Sequence, residues 1–293
     1  MRSEYKKIKT RWIPKEWEVL KLKEISLDIQ QGFASGKRDE NGIIQLRMNN
    51  ITTDGRIIFD SYLKVPIPKN IDKYLLKKDD LIFNNTNSVD LIGKTGIFKN
   101  QCDFCTFSNH LTRIRIDSSK ANVLWVLYNF IDYWRRNFFH NICVRHVGQA
   151  GIRRFDLENL KIPLPPLPEQ QKIAEILSTV DEAIQKVETI IHKTERLKRG
   201  LMQELLTKGI GHTRFKKTKI GYIPEDWNII KLKDITDINK ESRDPSKENP
   251  NEYFKYIDIN SIEGGTGLIK EVKTIIGKNA PSKAMRGCLL YTS

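Results

Sequence analysis

Between residues 173 and 205 the chain places apolar side chains at alternating steps of four and three. Ile173, Leu177, Val180, Ile184, Val187, Ile191, Thr194, Lys198, Leu201 and Leu205 form the series, interrupted only at Thr194 and Lys198. A sustained period of 3.5 residues is the seam of a coiled coil. Ile176, Ala183, Ile190 and Leu197 widen the stripe. A continuous helix from Glu169 to Leu206 would run ~57 Å at 1.5 Å per residue. A small domain cannot cover a stripe of that length, so the helix needs a partner helix from this chain or another. Gly209 and Gly211 supply the stop.

The helix is preceded by KIPLPPLPEQQ. Pro163, Pro165 and Pro166 are expected to refuse helix and sheet pairing and to hold the chain extended. Pro168 fits the first helical turn, with Glu169 near the positive end of the dipole. The run reads as a stiff joint between a globular unit and a rod. Its other reading is an SH3-type ligand, which the direct junction to a helix disfavours.

The chain also repeats itself. Ile13–Ser26 reads IPKEWEVLKLKEIS and Ile223–Thr236 reads IPEDWNIIKLKDIT, 210 residues apart. Downstream LRMNNI (46–51) parallels IDINSI (257–262), and a glycine turn follows each: Thr53-Asp54-Gly55 and Gly264-Gly265-Thr266-Gly267. KDDLIFN (78–84) parallels the stretch from Arg286 to Thr292. So long a period indicates a duplicated domain rather than a stacked array. The second copy is expected to be incomplete, ending on an apolar strand at Cys288–Tyr291 that needs covering.

Within the first copy the sequence predicts strands at Ile43–Met48, Arg56–Asp60, Asp80–Asn84, Thr95–Phe98 and Leu111–Ile116. In the last, Thr112, Ile114 and Ile116 share the core face, with Leu111, Arg113 and Arg115 opposite. Over Ala121–Phe139 the spacing of Val123, Leu127, Ile131, Trp134 and Phe138 predicts an amphipathic helix. The fold class is α+β: a mixed globular domain, a long coiled-coil-type helix, and an incomplete second domain.

Charge gives the first functional pointer. Fifty Lys and Arg against 36 Asp and Glu leave +14, which favours a polyanionic partner. No apolar run reaches 18 residues and no apolar segment follows the basic N-terminus, so a cytoplasmic protein is expected. Base edges in the major groove are read by Arg or Lys on guanine and by Asn or Gln on adenine. Three polar stretches offer these residues. QQGFASGKR (30–38) carries Lys37 and Arg38. NNTNSVDLIGK (84–94) carries Asn84, Asn85, Thr86, Asn87 and Lys94. RHVGQAGIRR (145–154) carries Arg145, Gln149, Arg153 and Arg154, with His146 between, around two glycines. Each alone would pass for a solvated turn.

Catalytic readings find no support. There is no Asn/Asp-Pro-Pro-aromatic run, no complete phosphate-binding loop (Ser88 stands where the glycine before Gly93-Lys94-Thr95 is needed), no nucleophile elbow and no HExxH. Glu271-Val272-Lys273 has nuclease-like ExK spacing, but no Pro-Asp partner lies suitably upstream. Cys102 and Cys105 have zinc-ligand spacing without a second pair, and with Cys143 and Cys288 they are expected to be ordinary thiols. No catalytic or metal site is expected.

PLPPLPEQQKIAEIL with the heptad helix, the repeated WIPKEWEVLKL and YIPEDWNIIKL, KKDDLIFNNTNSVDLIGKTGIF and VGQAGIRRFDLENLKIPLPPLPEQQ together resemble the specificity subunits of type I restriction–modification systems. Asp79 stands where that family usually has glycine. The resemblance divides the chain into a first target recognition domain (1–167), a conserved long helix (168–208) and an incomplete second recognition domain (209–293). It implies a subunit that is not itself an enzyme, each recognition domain reading one half of a bipartite double-stranded DNA target. It also implies that the helix docks methyltransferase subunits, which motor–nuclease restriction subunits join. S-adenosylmethionine, ATP and magnesium would then be needed by those partners and not by this chain. The seam residues Ile173, Leu177, Val180, Ile184, Val187, Ile191, Leu201 and Leu205 would form the helix-pairing interface and support a homodimer. The competing readings are the recognition part of a fused restriction–methylation enzyme, testable by methyl transfer, and a coiled-coil scaffold whose charge is incidental, testable by salt-dependent DNA binding.

Overall fold

The computed structural model describes residues 4–8, 11–236, 242–280 and 284–285. The chain divides into two units, Met1–Glu195 and Arg196–Ser293. In the first, the strands begin with β1 (Tyr5–Ile8), β2 (Arg11–Pro14), β3 (Glu18–Lys21) and β4 (Ser26–Gln31). Next come β5 (Ile43–Leu46), β6 (Leu63–Val65), β7 (Leu81–Asn84), β8 (Thr86–Asn87), β9 (Thr95–Ile97), β10 (Cys105–Phe107) and β11 (Leu111–Ile116). Helices α1 (Val123–Arg135) and α2 (Phe138–Ile142) precede β12 (Val144–His146), β13 (Gln149–Gly151), the short α3 (Arg154–Glu158) and β14 (Lys161–Leu164). Helix α4 spans Leu167–Lys208.

The centre of the unit is an antiparallel sheet in the order β4-β11-β7-β9. Leu81, Phe83, Ile114 and Ile116 meet Trp125, Phe130 and Ile131 of α1 on one face. Ile82 and Leu111 pack on the other face with Leu46, Phe98, Cys105 and Phe107, from the layer that holds the β10-β5-β6 sheet. Burial on both faces is why β7 reads as a continuous apolar run rather than an alternation. The predicted faces of β11 are those observed, but its second face is covered as well. Arg113 on that face is 4% exposed; its guanidinium donates to the carbonyls of Lys73 (3.1 Å) and Leu75 (2.9 Å) and pairs with Asp28. Arg115 binds Asp80 through two hydrogen bonds of 2.7 and 2.8 Å. That bonding is the main cause of its raised pKa.

Several sequence expectations are corrected. Arg56–Asp60 forms no strand; Ile57 makes only an isolated bridge to Ile51 across the Gly55 turn. The helix predicted over Ala121–Phe139 breaks at Asn137, whose left-handed φ of 56° separates α1 from α2. Its buried face is also wider than the 3–4 stripe, taking in Trp125, Val126, Asn129 and Phe130. Cys102 and Cys105 are joined as a disulfide rather than lying as separate thiols. The strand predicted at Cys288–Tyr291 lies outside the described residues.

The proline joint differs in an instructive way. Residues 161–164 do pair, as β14 against β3, with Pro163 opposite Val19. Two strands leave β14 one free edge, where a residue without an N–H is tolerated. The Pro163 carbonyl accepts the indole N–H of Trp125 at 2.8 Å, and the Pro165 carbonyl accepts from Gln170 at 2.8 Å. Pro163, Leu164 and Pro165 are buried, so the run is not presented as an SH3-type ligand. The helix follows at once and ends as expected at Gly209 (φ 66°), whose N–H bonds the Leu205 carbonyl.

The second unit contains β15 (Phe215–Thr218), β16 (Gly221–Pro224), α5 (Leu232–Ile235), β17 (Ser242–Arg243), α6 (Pro245–Glu248), β18 (Tyr253–Tyr256), β19 (Lys273–Ile276) and β20 (Ala284–Met285). It reproduces local structure of the first. Met48–Asn50 and Ile259–Ser261 are both single 3-10 turns with a buried capping residue, Asn50 or Ser261. Gly55 and Gly265 both adopt φ 90° in the turns that follow. One contrast stands out. Leu22 and Ile25 are fully buried, whereas their counterparts Leu232 and Ile235 are exposed.

Candidate nucleic-acid interface

The three polar stretches converge at one end of the first unit, and Asn85 is where they meet. Its N–H donates to the His110 carbonyl (3.1 Å), and its own carbonyl accepts from Ile152 N–H (2.9 Å). Its side-chain amide donates to the Asn109 carbonyl (3.3 Å), and its Oδ1 accepts from the Thr112 hydroxyl (3.2 Å). Gln31, at the end of β4, donates to the same Asn109 carbonyl at 2.8 Å. The 30–38, 84–94 and 145–154 stretches are therefore held together by the Asn109–His110 turn and by Asn85.

Much of what reads as loop in the sequence is strand. Thr86–Asn87 pairs with β13, and β13 with β12, giving a sheet in the order β12-β13-β8. The β12–β13 hairpin turns through Val147 and Gly148, the latter at φ 76°, a conformation that favours glycine. Arg145, His146, Val147 and Gln149 are all exposed. Val147 has no counterpart among the residues the sequence offers, since a lone valine in a polar stretch carries no local signal.

The candidates then sort into four groups. Lys37, Arg38 and Gln149 are exposed and make no side-chain hydrogen bond or ion pair among the described residues. Among the described residues Arg145 reaches only His140, at 3.5 Å, while Thr86 and Asn87 are half-buried on β8, across β13 from it. Arg153 and Arg154 are exposed but tied to Asp156 (2.7 Å) and Glu158 (2.6 Å) along α3. Asn84, Asn85 and Lys94 are buried, which corrects their expected role. The Lys94 ammonium donates to the Ile51 carbonyl at 2.6 Å, and desolvation lowers its pKa. Both polar atoms of the Asn84 side chain are buried without a partner among the described residues. Such groups shape the interior and are out of reach of a base edge.

On α4 the seam behaves as an unpaired stripe. Leu177, Val180, Ile184, Val187, Ile191, Leu201 and Leu205 are exposed. Ile173 differs: it packs against the core of the first unit, beside buried Gln170 and Ala174. Gln170 accepts the Asn122 N–H at 2.9 Å, fixing the first turns of the helix to the domain. Among the described residues no group of three or more His, Cys, Asp or Glu is placed to hold a metal ion, and no helix is long and apolar enough to cross a membrane.

The chain thus combines a mixed α+β domain with a long helix that carries an exposed heptad stripe. Residues 14–196 match the type I restriction modification DNA specificity domain, and the chain belongs to that family. It is 36% identical over 232 residues to a Methanocaldococcus jannaschii protein named as the MjaX type I restriction enzyme specificity subunit, covering 78% of this chain and 54% of that one. It is 28% identical over 272 residues to the MjaVIII specificity subunit of the same organism, covering 91% of this chain and 57% of that one. The chain thus spans about half the length of these relatives. A chain solved in a study of complex assembly and conformational transition of the type I R-M system aligns with TM-score 0.48 and 18% identity, over 68% of this chain and 47% of that one.

Proposed function

We propose that this chain reads double-stranded DNA as the sequence-recognition subunit of a type I restriction–modification enzyme, with no catalysis of its own. The carrying observation is that the 30–38, 84–94 and 145–154 stretches are tied together through Asn85 and the Asn109–His110 turn, while Lys37, Arg38, Arg145 and Gln149 are exposed and make no ion pair among the described residues. These are the residue types that pair with guanine and adenine edges or with phosphates. The first unit reads one half-site of a bipartite target. The exposed seam of α4 pairs in antiparallel fashion with a second copy, and methyltransferase subunits dock on the paired helices, with motor–nuclease subunits joining them. The 42 residues of α4 would span ~63 Å at 1.5 Å per residue, a length suited to fixing the spacing between half-sites.

The test is to map methylated sequences in DNA from cells expressing this chain with its methyltransferase. A single bipartite motif is the expected result, and an interrupted palindrome if two copies of the first unit do the reading. Methylation without a sequence preference traceable to this chain would refute the proposal.

A further inference from the structure

The hairpin β1–β2 recurs as β15–β16 in the same register. Tyr5, Lys6 and Lys7 pair with Pro14, Ile13 and Trp12; Phe215, Lys216 and Lys217 pair with Pro224, Ile223 and Tyr222. The first lysine of each is used inside the fold. Lys6 donates to the Lys15 carbonyl at 2.8 Å and also to that of Trp17, and Lys216 donates to the Glu225 carbonyl at 2.7 Å. Strand alternation puts that lysine on the side of buried Ile13 or Ile223 and sends the next one outward. Lys7 and Lys217 are exposed and make no ion pair among the described residues. Each is flanked by exposed rings: Tyr5 and Trp12 around Lys7, Phe215 and Tyr222 around Lys217.

We propose that both hairpins grip the phosphodiester backbone of duplex DNA. The free lysine neutralises a phosphate and the flanking rings cover the adjoining sugar. The inference rests on the DNA-binding role proposed above and adds a contact that carries no sequence information. Recurrence of the same platform in both copies suits a feature that every duplex shares. The stretch after β4, by contrast, reads QQGFASGKR (30–38) in the first copy and KESRDPSKE (240–248) in the second. The charge also fits. Residues 4–17 hold five Lys and Arg against two acids, and residues 214–227 hold four against two. Exposed aromatic residues also mark protein interfaces, but lysine is depleted there, and here it occupies the middle of each platform.

The experiment measures binding of the full chain to duplexes of unrelated sequence across a salt series, for wild type, the double variant Lys7→Ala/Lys217→Ala, and Lys7→Arg/Lys217→Arg. Each phosphate contact contributes about 0.9 to the log–log salt slope. The alanine pair is therefore expected to flatten the slope by roughly 1.8, to weaken all duplexes by the same factor, and to leave the methylated motif unchanged. The arginine pair should restore the slope. A salt slope in wild type that the alanine pair leaves intact overturns the hairpin proposal while DNA binding stands, and loss of methyltransferase capture with an intact slope does so in favour of a protein partner. Absence of salt-dependent binding in wild type would remove the DNA role itself, and the hairpin proposal with it.

Discussion

The Tyr128 hydroxyl on α1 donates a 2.7 Å hydrogen bond to Oδ2 of Asp181 on α4. With the Arg56–Glu188 pair at 3.4 Å, it ties the first half of the long helix to the body of the first unit. Burial, and then the bond to Asp181, push the Tyr128 pKa up. Replacing Tyr128 with Phe deletes the bond and keeps the ring, so the expected loss at neutral pH is about 1 kcal/mol, at the low end for a charge-assisted bond because the site is partly open to water. The folded state holds this proton more tightly than the unfolded state. The contribution is therefore complete below the ordinary tyrosine pKa of about 10 and fades as pH rises beyond it. Urea titrations of both proteins should show a constant gap from pH 7 to 9 that narrows above pH 10.

Asp79 occupies the left-handed region with φ 68°, and its N–H bonds the Phe98 carbonyl at 2.8 Å. A non-glycine residue there is strained by contact between Cβ and the carbonyl. Asp79→Gly should therefore stabilise the protein by about 0.5–1 kcal/mol, with a rise of a few degrees in Tm. A lower Tm would mean that the Asp79 side chain does something the backbone argument omits.

Arg145 and Arg153 test which arginines are available. Arg145 is exposed on the β12–β13 hairpin and among the described residues meets only His140, at 3.5 Å, whereas Arg153 is held by Asp156 at 2.7 Å. Arg145→Ala should weaken binding to the methylated motif about 10-fold or more. Arg153→Ala should change it by no more than about 3-fold, because that guanidinium must first leave its carboxylate. Equal losses in both, measured by fluorescence anisotropy, would show that the ion pair opens on DNA.

Periodic features were legible in the sequence and long-range ones were not. The seam, β11 and the Gly209 stop are written in local spacing. The pairing of Thr86 with Gly151 joins residues far apart in the chain, and nothing near either one announces it. Asn84, Asn85 and Lys94 look like a solvated polar turn because composition does not report burial. Asn85 is instead consumed in tying three segments together, and the Lys94 ammonium lies under the Ile51 carbonyl. Pro163 by itself argues against a sheet, because the free edge of a two-stranded pair is a tertiary fact. Burial thus sets Asn84, Asn85 and Lys94 apart from the exposed candidates Lys37, Arg38, Arg145 and Gln149.

The seam prediction depends on where its polar residues fall. Ile184 and Ile191 are half-exposed on a stripe that continues through Leu201 and Leu205. A lysine at either position would be buried on pairing without a partner, so Ile184→Lys/Ile191→Lys should weaken self-association by about 100-fold or more. Light scattering at micromolar concentration, with methyltransferase absent, should then report a dimer for wild type and a monomer for the variant. A wild-type monomer would refute the pairing outright. Thr194 and Lys198 interrupt the seam toward one end, so parallel copies would stack like against like, lysine beside lysine. Antiparallel copies instead place them opposite apolar residues nearer the start of the stripe and separate the two charges. Thr194→Leu/Lys198→Leu should therefore strengthen the dimer while relaxing its orientation. Disulfide capture between single cysteines placed at 177 and 205 reads that orientation: wild type should cross-link 177 to 205, and the leucine variant should add 177 to 177.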